Sequence, residues 1–388
     1  MTSVKLSLCL NGGPAPSRPH WVAEALADCF NLGVSMTKTP DKPFNPSVSH
    51  LGRREFLQMI PLLAVAPTSL AQGASPVAVQ KIHSCDMRVT DVARSVKFYQ
   101  DLFGAPIQAR QGERVFLRIG EGPRFFSLSP RRPGEDPGFG HIGLSVAGFD
   151  SEQIQDQLEE FGIARGVAPT QEQGKLSLAS TSWIEQQGGR SELFFADREG
   201  IVYHLTSESY CGGNDVSGER CAVIDEPEAT GLFTLIDYNH FTNFLANRAQ
   251  ANVFYSQAFG KTFQAYQGPS APVIGVGDGL QFLMYVGGNE EEAPVIPGRI
   301  DHVCFSVEDF EVDKILARLT GFGLKPRQNL QEPEPLMYWI SMRMPNRGGA
   351  EGGTPELYFT DPDGLRIQLQ HRFYCGGTGY LGDICSNV

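Results

Sequence analysis

The sequence predicts an α+β protein made of four βαβββ modules arranged as two tandem copies, and three observations carry that reading. The first is self-similarity. Glu192 to Gly200 (ELFFADREG) matches Glu356 to Gly364 (ELYFTDPDG), and Tyr210 to Cys221 (YCGGNDVSGERC) matches Tyr374 to Cys385 (YCGGTGYLGDIC), both at an offset of 164. His141 to Gly162 matches His302 to Gly323 at an offset of 161, and Phe98-Tyr99 matches Phe254-Tyr255 at an offset of 156. The second observation is period. A strand alternating apolar and polar residues, such as HIGLSV from His141, leads into a helical repeat with Ile154, Leu158 and Phe161 on one face. The third is the set of short strands that follow each helix, separated by turns such as Gly120-Glu121-Gly122 and Gly277-Asp278-Gly279.

Taken in chain order, residues 1–76 read as a leader. Residues 1–50 are rich in Pro, Ser, Thr and Asn and lack periodicity, so no fold is assigned to them. Leu51 to Ala71 (LGRREFLQMIPLLAVAPTSLA) resembles a twin-arginine export signal: Arg53 and Arg54 precede Phe56 and Leu57, a short apolar run and a small-residue exit. Cleavage is expected near Ala71, and Met36 offers an alternative start. The resemblance implies passage through the twin-arginine export machinery and a periplasmic or otherwise exported protein, carried across already folded, often with a metal or cofactor in place. The first domain spans 79–210, with modules opening near Lys81 and Gly138. A linker with a cysteine pair follows at 211–232. The second domain spans 233–373, with modules opening near Tyr238 and Gly298, and a tail with a second cysteine pair closes the chain at 374–388.

Composition narrows the ligand class. Of 388 residues, 41% are apolar and no run is long enough to span a bilayer, so no membrane segment is expected after processing. A net charge of −12 argues against a nucleic-acid partner, because such a footprint rests on clustered Lys and Arg. Loss of residues 1–71 removes six basic and four acidic residues, which takes the charge to −14. A small-molecule substrate or ligand is the expected partner, and self-association into a homo-oligomer is left open.

The repeated motifs resemble the vicinal oxygen chelate superfamily, which includes glyoxalase I, bleomycin and fosfomycin resistance proteins and extradiol ring-cleaving dioxygenases. The residues that carry the resemblance are the opening strand His302 to Val307, the helices ending in Phe98-Tyr99 and Phe254-Tyr255, and Asp361-Pro362-Asp363-Gly364 before the last strand. It covers residues 80 to 210 and 235 to 372. It implies modules paired into two half-open barrels with one cavity each, and four modules in one chain look most like the ring-cleaving dioxygenases.

Strand alternation then places the positions that such a family uses for metal. His302, Cys304 and Ser306 share one face and Val303, Phe305 and Val307 the other; His141, Gly143 and Ser145 oppose Ile142, Leu144 and Val146. On the closing strand Arg366, Gln368 and Gln370 face the cavity. The resemblance implies a metal-binding Glu at the middle position, where this chain has Gln368. The second cavity thus offers His240, His302 and Gln368 for Fe(II) or Mn(II), with the neutral amide weakening its hold on a hard ion. The first cavity offers His141 and His204 only. There Ser84 takes the third position and His83, one residue out of register, is expected to point away with Cys85, Met87 and Val89 unless a bulge corrects it; Asp86 is a weaker substitute. Structural duty is the favoured reading of that copy.

Phe282, Tyr285, Cys304, Glu356 and Gln370 complete the expected substrate pocket. Glu192 and Glu356 are candidates for a missing carboxylate or a general base, or for a shared structural hydrogen bond, and Cys304 reads as a small buried thiol. No catalytic residue is assigned. The equal spacing of Cys211 with Cys221 and of Cys375 with Cys385 suggests two local disulfides in an exported protein, a bridge between the copies being also open. Two principal functions follow: a metal-dependent enzyme resembling extradiol dioxygenases, acting on a small aromatic molecule in the second cavity, or a metal-independent protein that sequesters a small molecule. A glyoxalase-like lyase or isomerase fits less well, since both closing strands lack the Glu that chemistry uses.

Overall fold

The computed structural model describes residues 75–168, 180–187, 189–213, 221–268, 271–289, 298–329 and 331–377. The leader up to residue 74 and the tail from 378 lie outside the described residues. The described residues belong to a single compact unit.

The first module consists of β1 (Val79–Val89), α1 (Val92–Phe103), β2 (Ile107–Gln111), β3 (Arg114–Arg118) and β4 (Phe125–Pro130). The second runs through β5 (Gly138–Val146), α2 (Ser151–Glu160), β6 (Ala164–Arg165), β7 (Thr181–Gln187), β8 (Arg190–Ala196) and β9 (Val202–Thr206). The second copy repeats the pattern with β10 (Leu235–Leu245), α3 (Arg248–Ala258), β11 (Phe263–Tyr266), β12 (Pro272–Gly275) and β13 (Phe282–Gly287). Its last module holds β14 (Arg299–Val307), α4 (Val312–Phe322), β15 (Lys325–Pro326), β16 (Met337–Arg343), β17 (Thr354–Thr360) and β18 (Arg366–His371).

Each copy forms one nine-stranded mixed sheet. Its order is β2-β3-β4-β1-β5-β9-β8-β7-β6 in the first copy and β11-β12-β13-β10-β14-β18-β17-β16-β15 in the second. The two modules of a copy meet at an antiparallel pair, β1 with β5 or β10 with β14, and each of those strands is flanked by the parallel closing strand of its own module. This is the α+β, paired-module half-open barrel. Helices α1, α2 and α3 begin where the sequence supplies a cap: Asp91, Asp150 and Asn247 accept hydrogen bonds from the backbone N–H three residues on.

The alternation read from the strands holds. Ile142, Leu144, Val146, Val303, Phe305, Val307, Ile367 and Leu369 are all buried, and with residues of the other strands they form a single core to which both copies contribute. Burying these apolar faces at roughly 25 cal/mol per Å² is the main stabilising term. Polar contacts tie the copies together in a reciprocal way. The Tyr99 hydroxyl donates to Asp361 Oδ2 at 3.0 Å, and the Tyr255 hydroxyl to Asp197 Oδ2 at 2.7 Å. The Tyr of the Phe-Tyr pair inside α1 and inside α3 therefore docks on the Asp-containing turn of the opposite copy.

Cys211 and Cys221 form a disulfide with Cα atoms 5.5 Å apart. Cys375 is also disulfide-bonded, and Cys385 lies outside the described residues.

Candidate functional site

The second cavity is built on one row across three strands. His240 on β10 lies opposite Cys304 on β14, which lies beside Gln368 on β18; His302 is two residues before Cys304 and so shares its face. The His240 ring lies flat on Phe282, its neighbour on β13, with centroids 4.3 Å apart, and stands 5.6 Å from the His302 ring at 79°. All three polar side chains are buried.

The tautomers follow from the hydrogen bonds. A register shift between Tyr238 and His240 turns Asn239 to the cavity side, where its Nδ2 donates to the Tyr374 carbonyl at 2.8 Å. Its Oδ1 is then the acceptor 2.8 Å from His240 Nδ1, so Nδ1 carries the proton and Nε2 keeps its lone pair. Likewise His302 Nδ1 donates to Asp301 Oδ2 at 2.8 Å. Burial alone would raise the Asp301 pKa, but the bond to His302 and the charges of Arg366 and Arg299 outweigh it and hold the carboxyl below its usual range. Burial, reinforced by His302 and Arg343, pushes His240 well below the ordinary imidazole value, so it is neutral.

Three buried atoms are left over: His302 Nε2 and both amide atoms of Gln368 have no hydrogen-bond partner. The Gln368 amide lies close enough to His240 to act on its titration, yet forms no well-aligned bond. Leaving such groups unpaired costs about 1–3 kcal/mol each, a cost that an occupant of the site would relieve. Two imidazoles with anchored Nδ1 atoms and an amide oxygen form a donor set able to hold a divalent ion. Among the described residues no three of His, Cys, Asp and Glu are grouped to hold one, so a metal here depends on Gln368 as the third donor.

The remaining expected pocket residues divide. Phe282 lies on the cavity face, and Cys304 is buried, its thiol pushed far above the ordinary value by burial. Glu356 is already engaged: it accepts from Arg343 Nε at 2.6 Å, from the Tyr374 hydroxyl at 2.9 Å and from the Tyr358 hydroxyl at 3.3 Å, which leaves the structural role open to it at the sequence level. The Gln370 amide serves the backbone, donating to the Pro355 carbonyl and accepting from His371 N. Tyr285 does not line the pocket. It is three residues from Phe282 on β13 and therefore on the opposite face, where it stacks on Tyr255 at 4.3 Å and shares a 2.7 Å hydrogen bond with the Tyr203 hydroxyl in the common core.

In the first cavity His141 and His204 stand 5.4 Å apart, and His204 Nε2 is buried without a hydrogen bond, 3.7 Å from Glu192 Oε2. Glu192 in turn accepts from the Tyr210 hydroxyl at 2.6 Å. Ser84 holds the position of His240, beside Gly143, where a Cβ would collide with its Oγ. His83 corrects the sequence reading. A register shift between Ile82 and Ser84 turns its ring toward Phe125 and Tyr210 instead of into the face of Cys85, and Nε2 bonds the Tyr210 carbonyl at 2.6 Å. Asp86 bonds Ser127 and Ser129 and lies near Arg88 and Arg114. Its counter-charges and hydrogen bonds overcome burial to keep it ionised. Burial lowers His83 and His141 to about 4.

Comparison with known proteins agrees with this architecture. Residues 81–201 match the model of the Glyoxalase/Bleomycin resistance protein/Dioxygenase superfamily. "Glutathione transferase FosA" of Serratia marcescens is 23% identical over 137 residues, 34% of this chain and 94% of that protein. A variant of homoprotocatechuate 2,3-dioxygenase from B. fuscum superposes with a TM-score of 0.51 at 19% identity, covering 80% of this chain and 77% of that one. The Arthrobacter globiformis homoprotocatechuate 2,3-dioxygenase gives 0.51 at 17% identity over 77% and 81% of the two chains. The 2,3-dioxygenase LapB from Pseudomonas sp. KL28 gives 0.50 at 16% over 76% and 93%. At such identities the structural likeness is one of fold. Residues 81–201 thus resemble the Glyoxalase/Bleomycin resistance protein/Dioxygenase superfamily, and the described residues share the paired-module fold of these dioxygenases.

Proposed function

We propose that the protein is an exported, metal-dependent enzyme of the extradiol-dioxygenase type that acts on a small aromatic molecule in its second cavity. The observation that carries this reading is the convergence on one strand row of His240 and His302, each with Nδ1 anchored, and of Gln368 with both amide atoms unpartnered. His240 Nε2, His302 Nε2 and Gln368 Oε1 would hold Fe(II) or Mn(II), an ion that supplies Lewis acidity and open positions for substrate and oxygen when bound. The fold shared with the 2,3-dioxygenases supports the reaction class.

The surrounding residues supply binding and orientation. Phe282 stacks on His240 and fixes its ring, while Trp339 stacks on Tyr358, which meets His302 edge-on. These rings form an aromatic wall suited to a flat apolar molecule. The Arg343 guanidinium is neutralised by Glu356, so the wall behind the histidines presents no free charge from that pair. Metal analysis of protein produced through its native export route tests the proposal. About one bound divalent ion per chain, lost in His240→Ala with His302→Ala, is the expected result; no stoichiometric ion sinks it. Oxygen uptake with catechols would then test the reaction class.

One observation favours a second reading, a metal-independent binding protein: an unpartnered amide offers a donor and an acceptor to an organic ligand as readily as an oxygen to a metal. That reading predicts ligand affinity that survives chelation and is lost in Phe282→Ala.

A further inference from the structure

We infer that Asp301, seated behind His302, is a positioning residue that supplies to the metal site the negative charge that Gln368 does not provide. The inference rests on the reading of His240, His302 and Gln368 as a metal site, and deepens it.

Two imidazoles and an amide bring no charge as ligands, and a divalent ion held by such groups alone keeps its full charge in a buried place, which is costly. The nearest anion on the His302 side is Asp301, whose side chain is 6% exposed and whose Oδ2 lies 2.8 Å from His302 Nδ1. A carboxylate that accepts from the far nitrogen of a ligating imidazole fixes the ring and strengthens its other nitrogen as a donor. Arg366 balances part of that charge: its Nη1 bonds Asp301 Oδ2 at 2.7 Å, while its Nη2 bonds Glu332 at 2.9 Å, a carboxylate 86% exposed and screened by water. Arg299 is 3.8 Å away with its side chain 66% exposed, where water screens it. His240 has only the neutral Asn239 in the equivalent place, which makes His302 the ligand through which charge reaches the ion.

The first copy places a carboxylate beside its histidine from another strand. At the offset of 161 that aligns His141 with His302, Gly140 stands where the second copy has Asp301. The space a Gly140 side chain would take is filled by Asp86, whose Oδ2 lies 2.5 Å from the position of such a Cβ and whose charge acts on His141.

The test measures the dissociation constant for Mn(II) by titration on the full folded chain, with thermal melting to confirm folding. Asp301→Asn keeps the shape and a hydrogen-bond acceptor but removes the charge; it is expected to weaken Mn(II) binding about 10- to 100-fold. Gln368→Glu in that background is expected to restore it, because the charge returns at a ligand. Arg366→Gln, which frees Asp301 from its counter-charge, is expected to tighten binding and keeps the test decisive if Asp301→Asn does not fold. Unchanged affinity in Asp301→Asn or in Arg366→Gln overturns the inference while leaving the metal site standing. Failure of the unaltered protein to bind Mn(II) overturns the metal site itself, and the inference with it.

Discussion

Arg343 and Glu356 show what a single residue contributes to this site and why sequence reading reached only part of it. Strand alternation was enough to place His302, Cys304 and Gln368 on one face, because parity is a local property of a strand, and the spacing back from Tyr255 added His240. The same rule separates Tyr285 from Phe282, and that pair shows the cost of choosing pocket aromatics by proximity in sequence. His83 needed knowledge of a bulge, which depends on how β1 pairs with β5. Asn239 and Asp301 each precede their histidine in the chain, but the bond each makes depends on how its strand is paired, and Arg343 acts through Glu356, which folding brings near. Arg343 is tied to Glu356 at 2.6 Å with both side chains buried. Removing one member leaves the other charge buried and unpaired, so Arg343→Met should cost about 3–5 kcal/mol in urea unfolding, and Arg343→Met with Glu356→Leu markedly less than the sum of the single changes.

At the level of elements, the turns before the closing strands do more than reverse the chain. In the first copy Asp197 Oδ1 accepts from the N–H groups of Glu199 and Ile201, and in the second Asp361 Oδ1 accepts from those of Asp363 and Leu365. Each turn also reaches the opposite copy. The Glu199 carboxylate accepts from Ala246 N and Asn247 N ahead of α3, and Asp363 accepts from Thr90 N ahead of α1 and pairs with Arg94 in its first turn. The repeat was plain in the sequence, but this crosswise docking was not, because the repeat alone does not say which copy a turn serves. The Cys211–Cys221 bridge closes a separation of 10 residues. Cys211→Ser should lower stability by about 3 kcal/mol by loop entropy, readable by denaturant unfolding with and without reductant. Ser75 packs against Gly260, Val77 is fully buried and Val77 N donates to the Ala258 carbonyl, so the chain is anchored just past the expected cleavage point. A chain begun at Gly73 should melt like the longer one, whereas a chain begun at Lys81 should melt several degrees lower.

The whole molecule is two sheets sharing one core, and the reciprocal Tyr–Asp bonds make that shared core sensitive to pH. Burial raises both Asp197 and Asp361 to about 6. Folding therefore favours their protonated forms: the stability they contribute is present below the unfolded carboxylate value and is lost as pH rises through about 6. The buried histidines act in the opposite sense, since His83 and His141, lowered to about 4, disfavour the folded state as pH falls through the unfolded imidazole value. The comparison that isolates the aspartates is against Asp197→Asn with Asp361→Asn. From pH 8 to 5 the unaltered protein should gain stability relative to this variant in urea unfolding, and parallel curves would show that the two carboxyls titrate normally. The central claim is the proposed metal site in the second cavity, at His240, His302 and Gln368. The most direct test of that central claim is anomalous diffraction from crystals of the full chain grown with Mn(II). The account predicts a single strong peak in contact with His240 Nε2, His302 Nε2 and the Gln368 amide; a peak between His141 and His204 alone, or none, would contradict it.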